Sequence, residues 1–315
     1  MMNEDSFLEI INTYFQLDRE KNKQILVSRG DDCCLVEAGK IALSSDLFLE
    51  DVHFSRKYFG PKDIGYKALA VNLSDLAACG ASPLFFMLNL IWPTSLSLDY
   101  AKLMFQSMAD LAYDHQLTLV GGDLSRGDKL GLCITIAGQI ETNFVFRQQA
   151  KPGDLVFVVG NIGLSRVGLE ILEKNKTTSD FPKSVWAHLR PTPLVKAGKL
   201  LASWVKSMLD VSDGIAKDIQ RLLPSGLGVK LRQQLPLDEE IFRFAQTNQL
   251  DPLCLALEGG EDYALMGVIE PNTFEQIKTL VPQVWILGEV IEQQGLFYKD
   301  KKLEVIGFDH FANDC

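Results

Sequence analysis

Gly60-Pro61-Lys62-Asp63-Ile64-Gly65-Tyr66-Lys67-Ala68-Leu69-Ala70-Val71-Asn72-Leu73-Ser74-Asp75-Leu76-Ala77-Ala78-Cys79-Gly80 is the stretch around which the rest of this chain is read. Proline suits a first helical position, because its missing N–H would have no intrahelical partner there. The Ala/Leu-rich run that follows predicts a long helix from Pro61 to about Cys79, stopped at Gly80. Asp75 falls near its C-terminal end, where the helix dipole disfavours a bare carboxylate and a bound cation would compensate.

Working outward, the same kind of acidic punctuation recurs at the edges of other apolar runs. Gly30-Asp31-Asp32, Ser44-Ser45-Asp46, Asn72-Leu73-Ser74-Asp75, Gly121-Gly122-Asp123 and Asp210-Val211-Ser212-Asp213-Gly214 each stand where a strand or helix ends. Singly, an Asp after Gly is a turn residue or a cap. Together they describe carboxylates converging on one cleft, the arrangement that holds Mg²⁺ beside phosphate oxygens. On a strand, Asp210 and Ser212 share a face and Asp213 enters the turn.

Between these segments the chain alternates. An amphipathic helix is predicted over residues 3–16 from Phe7, Ile10, Ile11, Tyr14 and Phe15. Strands are predicted over 33–37, 41–48, 84–92, 117–120 and 130–140, with a helix over 99–116. The 117–120 strand is expected to end at Gly121-Gly122-Asp123. Pro152-Gly153 is a turn signal, and the domain boundary is placed near residue 150. Beyond it come strands over 155–159, 208–211, 229–231, 263–269 and 284–290, and helices over 164–174, up to about 206, and 215–223. Such alternation predicts α/β or α+β layers in both halves. A chain of 315 residues also exceeds the size at which single cores stop growing.

Composition narrows the partners. With 47% hydrophobic and 23% charged residues, each half can bury a core. The net charge of −10, without a Lys/Arg run, argues against nucleic acid and against an anionic membrane. No apolar segment reaches the ~18 residues of a membrane span, and the first twenty residues do not read as a signal peptide. Cys33, Cys34, Cys79, Cys133, Cys254 and Cys315 contain no CxxC pair and read as reduced thiols of a cytoplasmic protein.

No GxxxxGK[ST], GxGxxG or kinase-type motif is present, so a bound nucleotide must be held mainly through metal ions. Gly121-Gly122 allows close backbone approach, and Arg147 offers a charge-assisted bond. His53, flanked by apolar residues, reads either as a core histidine or as a site residue. His115 and His188 read as helix-surface residues. Gly259-Gly260-Glu261-Asp262-Tyr263 reads either as a loop with a capping acid or as a contact to polar substrate groups.

Taken in order, GDD (30–32), SSD…DVHF (44–54), YKALAVNLSDLAACGASP (66–83), GGDLSRG (121–127), AKPGD (150–154), LDVSDGIAKDI (209–219), LEGGEDYAL (257–265) and GFDHF (307–311) resemble the thiamine-monophosphate kinases. The resemblance covers nearly the whole chain. It implies ATP-dependent phosphorylation of thiamine phosphate to thiamine diphosphate, on the two-domain α/β fold of the aminoimidazole ribonucleotide synthetase superfamily. It further implies residues 1–149 as an ATP- and metal-binding domain that dimerises through a β-barrel interface, and residues 150–315 as an α/β domain completing the active site.

By position, the resemblance assigns Mg²⁺ to Asp32, Ser44, Ser45, Asp46, Asp75, Asp123, Asp210 and Asp213. Among these, Asp46, Asp75, Asp123 and Asp213 would be catalytic. Gly122, Asp123, Arg147 and Ser212 would contact ATP, and His53, Glu261 and Phe308 the thiamine phosphate. The family usually carries Thr at Ser45, Asp-Thr at Asp46-Leu47, Gly at Asp51 and Thr at Leu124, so Leu47 and Leu124 remove polar groups near the site. Alternative readings are hydrogenase-maturation or selenophosphate-synthesis enzymes of the same superfamily, or a catalytically silent nucleotide-binding module.

Overall fold

A computed structural model describes residues 25–27, 31–37, 40–174 and 176–304. The predicted 3–16 helix, Phe308 and Cys315 lie outside these residues. The first sheet contains β1 (Ile25–Val27), β2 (Cys34–Val36), β3 (Ile41–Leu49), β4 (Ser82–Trp92), β5 (Thr118–Arg126) and β6 (Gly131–Gln139). Their spatial order is β1-β2-β3-β6-β4-β5, antiparallel except for the parallel pair β4 and β5. Strand alternation divides this sheet into two faces. Phe48, Phe86, Leu88, Leu90, Leu132, Ile134 and Ile136 are buried, whereas Leu47, Met87 and Ile91 are exposed on the other side.

Two helices cover the buried face, α1 (Pro61–Ala78) and α2 (Leu98–Asp114). The second half begins with β7 (Leu155–Val159), α3 (Leu164–Glu173), α4 (Pro182–Leu189) and α5 (Val195–Leu201). It continues through β8 (Ser207–Asp210), α6 (Ile215–Leu222), β9 (Gly228–Leu231), α7 (Glu239–Asn248) and α8 (Pro252–Glu258). The last elements are β10 (Leu265–Ile269), α9 (Phe274–Leu280), β11 (Val284–Ile291), β12 (Gly295–Tyr298) and β13 (Lys301–Lys302). The second sheet has the order β13-β12-β9-β11-β7-β10-β8. Its interior strand β7 is apolar throughout, and Val156, Phe157, Val158 and Val159 are fully buried, as expected of a strand covered on both faces.

The GGD segment departs from expectation. Residues 121–123 do not end a strand; β5 runs through them to Arg126 as an exposed edge. Gly122 has φ 147°, and a Cβ there would lie 1.8 Å from the Leu88 carbonyl oxygen. The glycine therefore serves a close approach to the paired strand β4 rather than a turn.

Helix α1 is buried around its whole circumference, from Ile64 and Lys67 through Leu69, Leu73 and Ser74 to Ala78, the signature of a helix enclosed by protein. One hydrophobic cluster joins its Leu69 and Leu73 to Ile134 of the first sheet and to Phe157, Met208 and Leu265 of the second. No described helix is long and apolar enough to cross a membrane. The five described cysteines are free.

Close helix contacts fix α1 in place. A Cβ on Gly65 would lie 2.0 Å from the Met104 carbonyl oxygen of α2, and one on Gly198 of α5 would lie 2.0 Å from the Ala77 carbonyl oxygen. Gly65→Ala gains ~1 kcal/mol of helix propensity, but the facing atom is backbone and cannot rotate away. We expect a net loss of about 1–3 kcal/mol in denaturant unfolding; a variant as stable as the parent would contradict so close a crossing.

Candidate active site

Four aspartates from distant segments meet between the two sheets. Asp32 precedes β2, Asp46 lies within β3, Asp75 sits in the last turn of α1, and Asp210 ends β8. Carboxylate oxygens of Asp32, Asp75 and Asp210 all lie within 4.8 Å of one another. Ser44 and Asp46, two apart on β3, share a face, and the Ser44 hydroxyl donates to Asp75. Ser45 points the other way, with its hydroxyl 3.0 Å from that of Thr135, so toward the cluster it can present only its carbonyl.

The electrostatics are those of crowded like charges. Burial, then the charge of Asp32, pushes Asp46 up to about 6. Asp75 is driven well above the usual carboxylate range by burial and then by Asp46, Asp210 and Asp32. Burial followed by Asp32 does the same to Asp210. Arg147 is the cation held against this group. Its Nε donates to Asp32 at 2.9 Å, its Nη2 to the other oxygen of the same carboxylate, and its backbone N–H to Asp31 at 3.2 Å. Burial works against the Arg147 charge, but Asp32, together with Asp210 and Asp31, more than offsets it, so the guanidinium stays protonated. One guanidinium cannot balance four carboxylates. A hard-oxygen donor set with excess negative charge fits one or more Mg²⁺ ions.

The remaining predicted ligands are placed differently. Asp213 lies in the loop between β8 and α6, where Lys217 Nζ at 3.0 Å and Arg221 Nη1 at 2.8 Å reach its carboxylate. These two cations were not singled out in the sequence, although their i+4 and i+8 spacing from Asp213 was visible. Ser212 is beside it, its carbonyl accepting from Glu261 N–H at 2.7 Å. Asp123 is not brought to the cluster within a single chain. Leu47, Cys133, Asn89 and Asp123 form one row across β3, β6, β4 and β5, on the face opposite Asp46, and line a small cavity of about 140 Å³. Gly122 lies in the same exposed edge strand.

A second group of residues flanks the acidic cluster. His53 Nδ1 accepts from Leu49 N–H at 3.1 Å, and its ring lies 6.1 Å from Phe48. Phe48 stacks on Phe54, which meets Phe59, and Phe59 in turn packs edge-on to His188 at 5.5 Å. His188 is therefore not a surface residue: it is 2% exposed. Burial, then the Lys67 charge, depresses its pKa well below the usual value. Its ring reaches Glu261 at 3.4 Å and the Ser165 hydroxyl at 3.2 Å. The aromatic wall thus connects His53 to Glu261.

The segment carrying Glu261 is strained. Glu261 and Tyr263 have φ of 61° and 49°, a left-handed conformation uncommon outside glycine. Tyr263, the last residue of the Gly259–Tyr263 segment and the expected start of a strand, instead precedes the strand, which begins at Leu265. Burial, then Glu261, Asp46, Asp210 and Asp75, raises its phenol pKa. Tyr263 and Asp262 also line a cleft of about 500 Å³ with Trp186, Arg190, Lys183 and Asn161.

Two stacked α/β halves with a carboxylate cluster between them define the class of AIR synthase related proteins. The family's N-terminal domain matches residues 30–140 and its C-terminal domain residues 151–301. Within that class, the chain belongs to the thiamine-monophosphate kinase family. The thiamine-monophosphate kinase of Bacillus subtilis (strain 168) is 36% identical over 307 residues, 90% of this chain and 93% of the relative. That of Aquifex aeolicus (strain VF5) is 33% identical over 288 residues, 90% and 92% respectively. A solved structure described as AaThiL complexed with AMPPCP and TMP has a TM-score of 0.87 at 30% identity, covering 98% of this chain and 97% of that one.

The raised carboxylates couple metal, protons and stability. Asp46 titrates from 3.8 when unfolded to about 6 when folded, so the metal-free fold binds the extra proton and is favoured at low pH. That contribution is lost as pH rises through about 6. Mg²⁺ competes with the same protons. Adding Mg²⁺ should therefore raise the melting temperature more at about pH 7.5 than at about pH 5.5, with proton release on binding. An equal shift at both pH values would show that these carboxylates do not take the metal.

Proposed function

We propose that this chain transfers the γ-phosphoryl group of ATP to thiamine phosphate, giving thiamine diphosphate and ADP. The observation that carries the reading is the convergence of Asp32, Asp46, Asp75 and Asp210, in a chain 30% identical to a protein solved with AMPPCP and TMP. The relatives at 33% and 36% identity favour it over the other readings the sequence left open. It accords also with a site in the cytoplasm and without nucleic acid or membrane as partner.

Asp32, Asp46, Asp75 and Asp210, with the Ser44 hydroxyl and the Ser45 carbonyl, would hold Mg²⁺, and Asp213 would add a carboxylate from the neighbouring loop. Bound Mg²⁺ would neutralise the phosphates of donor and acceptor and favour their in-line approach. Arg147 orients Asp32 and, with Ser212, faces the ATP phosphates. His53, Glu261 and Phe308 take the thiamine end. No general base is required, because the acceptor phosphate oxygen is already ionised at neutral pH. Nor is a nucleophile left over among these aspartates, so transfer is direct and proceeds without a phosphoenzyme.

Residues 1–149 would supply the metal and ATP side and the dimer contact, and residues 150–315 would complete the site. The exposed apolar side chains Leu47, Met87 and Ile91 support a homodimer in which two copies close this face into a barrel. Asp123, on that face, and its strand neighbour Gly122 would reach ATP only in that assembly. Ile91→Lys should then yield a monomer in sedimentation measurements; a variant that remains dimeric would remove the barrel from the reading.

The function is tested by measuring ATP consumption with thiamine phosphate against a panel of other phosphorylated and unphosphorylated acceptors. Thiamine phosphate should be preferred, with activity abolished by chelator. Asp75→Asn should lower kcat by about a thousandfold or more, yet melt no lower than the parent without metal, since it relieves like-charge repulsion. Turnover retained in Asp75→Asn would exclude the assigned metal site.

A further inference from the structure

We propose that Lys67 is a positioning residue for the acceptor: from the interior of α1 it fixes the Glu261 carboxylate at the thiamine end of the site, with His188 closing the contact. The inference rests on the acceptor reading given above and adds a residue to it.

Lys67 is fully buried, at 0% exposure. An ammonium in that position is costly unless it is paired and hydrogen-bonded. Its Nζ donates to the His188 carbonyl at 2.7 Å, lies 3.2 Å from Glu261 Oε2, and sits 5.3 Å from the centre of the Phe59 ring. Of these three, only Glu261 brings a full negative charge. The pair is asymmetric: Lys67 is enclosed, whereas the Glu261 side chain is 28% exposed and so stays partly accessible from outside.

The backbone of Glu261 explains why such an anchor is needed. A left-handed non-glycine residue costs on the order of 1 kcal/mol or more and persists only where its surroundings over-determine it. Here Glu261 N–H donates to Ser212 at 2.7 Å and Tyr263 N–H to Val211 at 2.9 Å, and Lys67 holds the side chain. Ser165, at the start of α3, binds the His188 ring at 3.2 Å. That ring is 3.4 Å from the same Glu261 oxygen. The carboxylate is thereby held from α1 and from the end of α4, while the loop after β8 holds the backbone that carries it.

The test compares Lys67→Met, Glu261→Gln and the double variant in steady-state kinetics with both substrates varied. Lys67→Met is expected to raise the KM for thiamine phosphate about tenfold or more while the KM for ATP stays within about twofold, and the double variant should be no worse than the poorer single one. Equal rises in both KM values, or additive effects in the double variant, would make Lys67 a merely structural residue and overturn the proposal. Should Lys67→Met not fold, ¹⁵N-lysine NMR of the wild-type chain decides. The protected ammonium resonance that moves in Glu261→Gln should also move on adding thiamine phosphate and not on adding ADP; a resonance indifferent to thiamine phosphate at saturation overturns the proposal. A wild-type chain that turns over a different acceptor and not thiamine phosphate would instead sink the functional reading, and this inference with it.

Discussion

Repulsion among buried carboxylates is the constraint on which this structure turns. Asp32, Asp46, Asp75 and Asp210 come from segments far apart in the chain, yet are held together with one guanidinium, that of Arg147, bound to one of them. Keeping Asp46 ionised at neutral pH, with its pKa pushed up to about 6, costs about 3 kcal/mol. That is a large fraction of the net stability of an ordinary domain. The surrounding fold must therefore be stiff enough to hold the group together without its counter-ions, and the core that encloses it supplies that stiffness.

Most of the stiffness comes from α1. The helix is packed against α2 and the first sheet on one side and against α5 and β8 on the other, so its position is fixed from every direction. It delivers Asp75 to the metal-binding end and Lys67 to the other end of the site, eight residues or about 12 Å apart along the axis. The two ends are thus registered to each other by one rod rather than by separate loops. The aromatic side chains Phe48, Phe54 and Phe59 fill the space beside that rod and carry the contact on to His188.

Much of this was legible because its signals are local. Pro61 and Gly80 bracket α1 to within two residues of its observed end. The strands at 84–92, 130–140 and 155–159 appear at nearly those bounds, since turn residues flank continuous apolar runs. The carboxylates that meet were also readable, because each stands at the edge of an apolar run. What stayed hidden depends on tertiary contact. His188 looks like a helix-surface residue until Phe59 and Ser165 are seen to cover it, and a lysine in an Ala/Leu-rich helix gives no sign of its buried partner. Gly121-Gly122 signals a turn by composition, although the glycine is required by a neighbouring strand's carbonyl. The face that Asp123 takes was hidden for the same reason, because parity along an edge strand decides the side on which its side chain emerges.

The enclosure of α1 also governs how the molecule can move. A hinge between the halves would have to tear the hydrophobic cluster that runs from Ile134 through Leu73 to Phe157 and Met208, and such packed cores switch between discrete arrangements rather than flexing continuously. Large-scale opening and closing therefore works against this shared core. Substrate entry and product departure fall instead to surface segments and to side chains at the cleft mouth, such as the exposed Trp186, whose rearrangements are short-range and fast. The enzyme trades breathing for alignment: it holds its reacting groups in one frame and leaves the traffic to its rim.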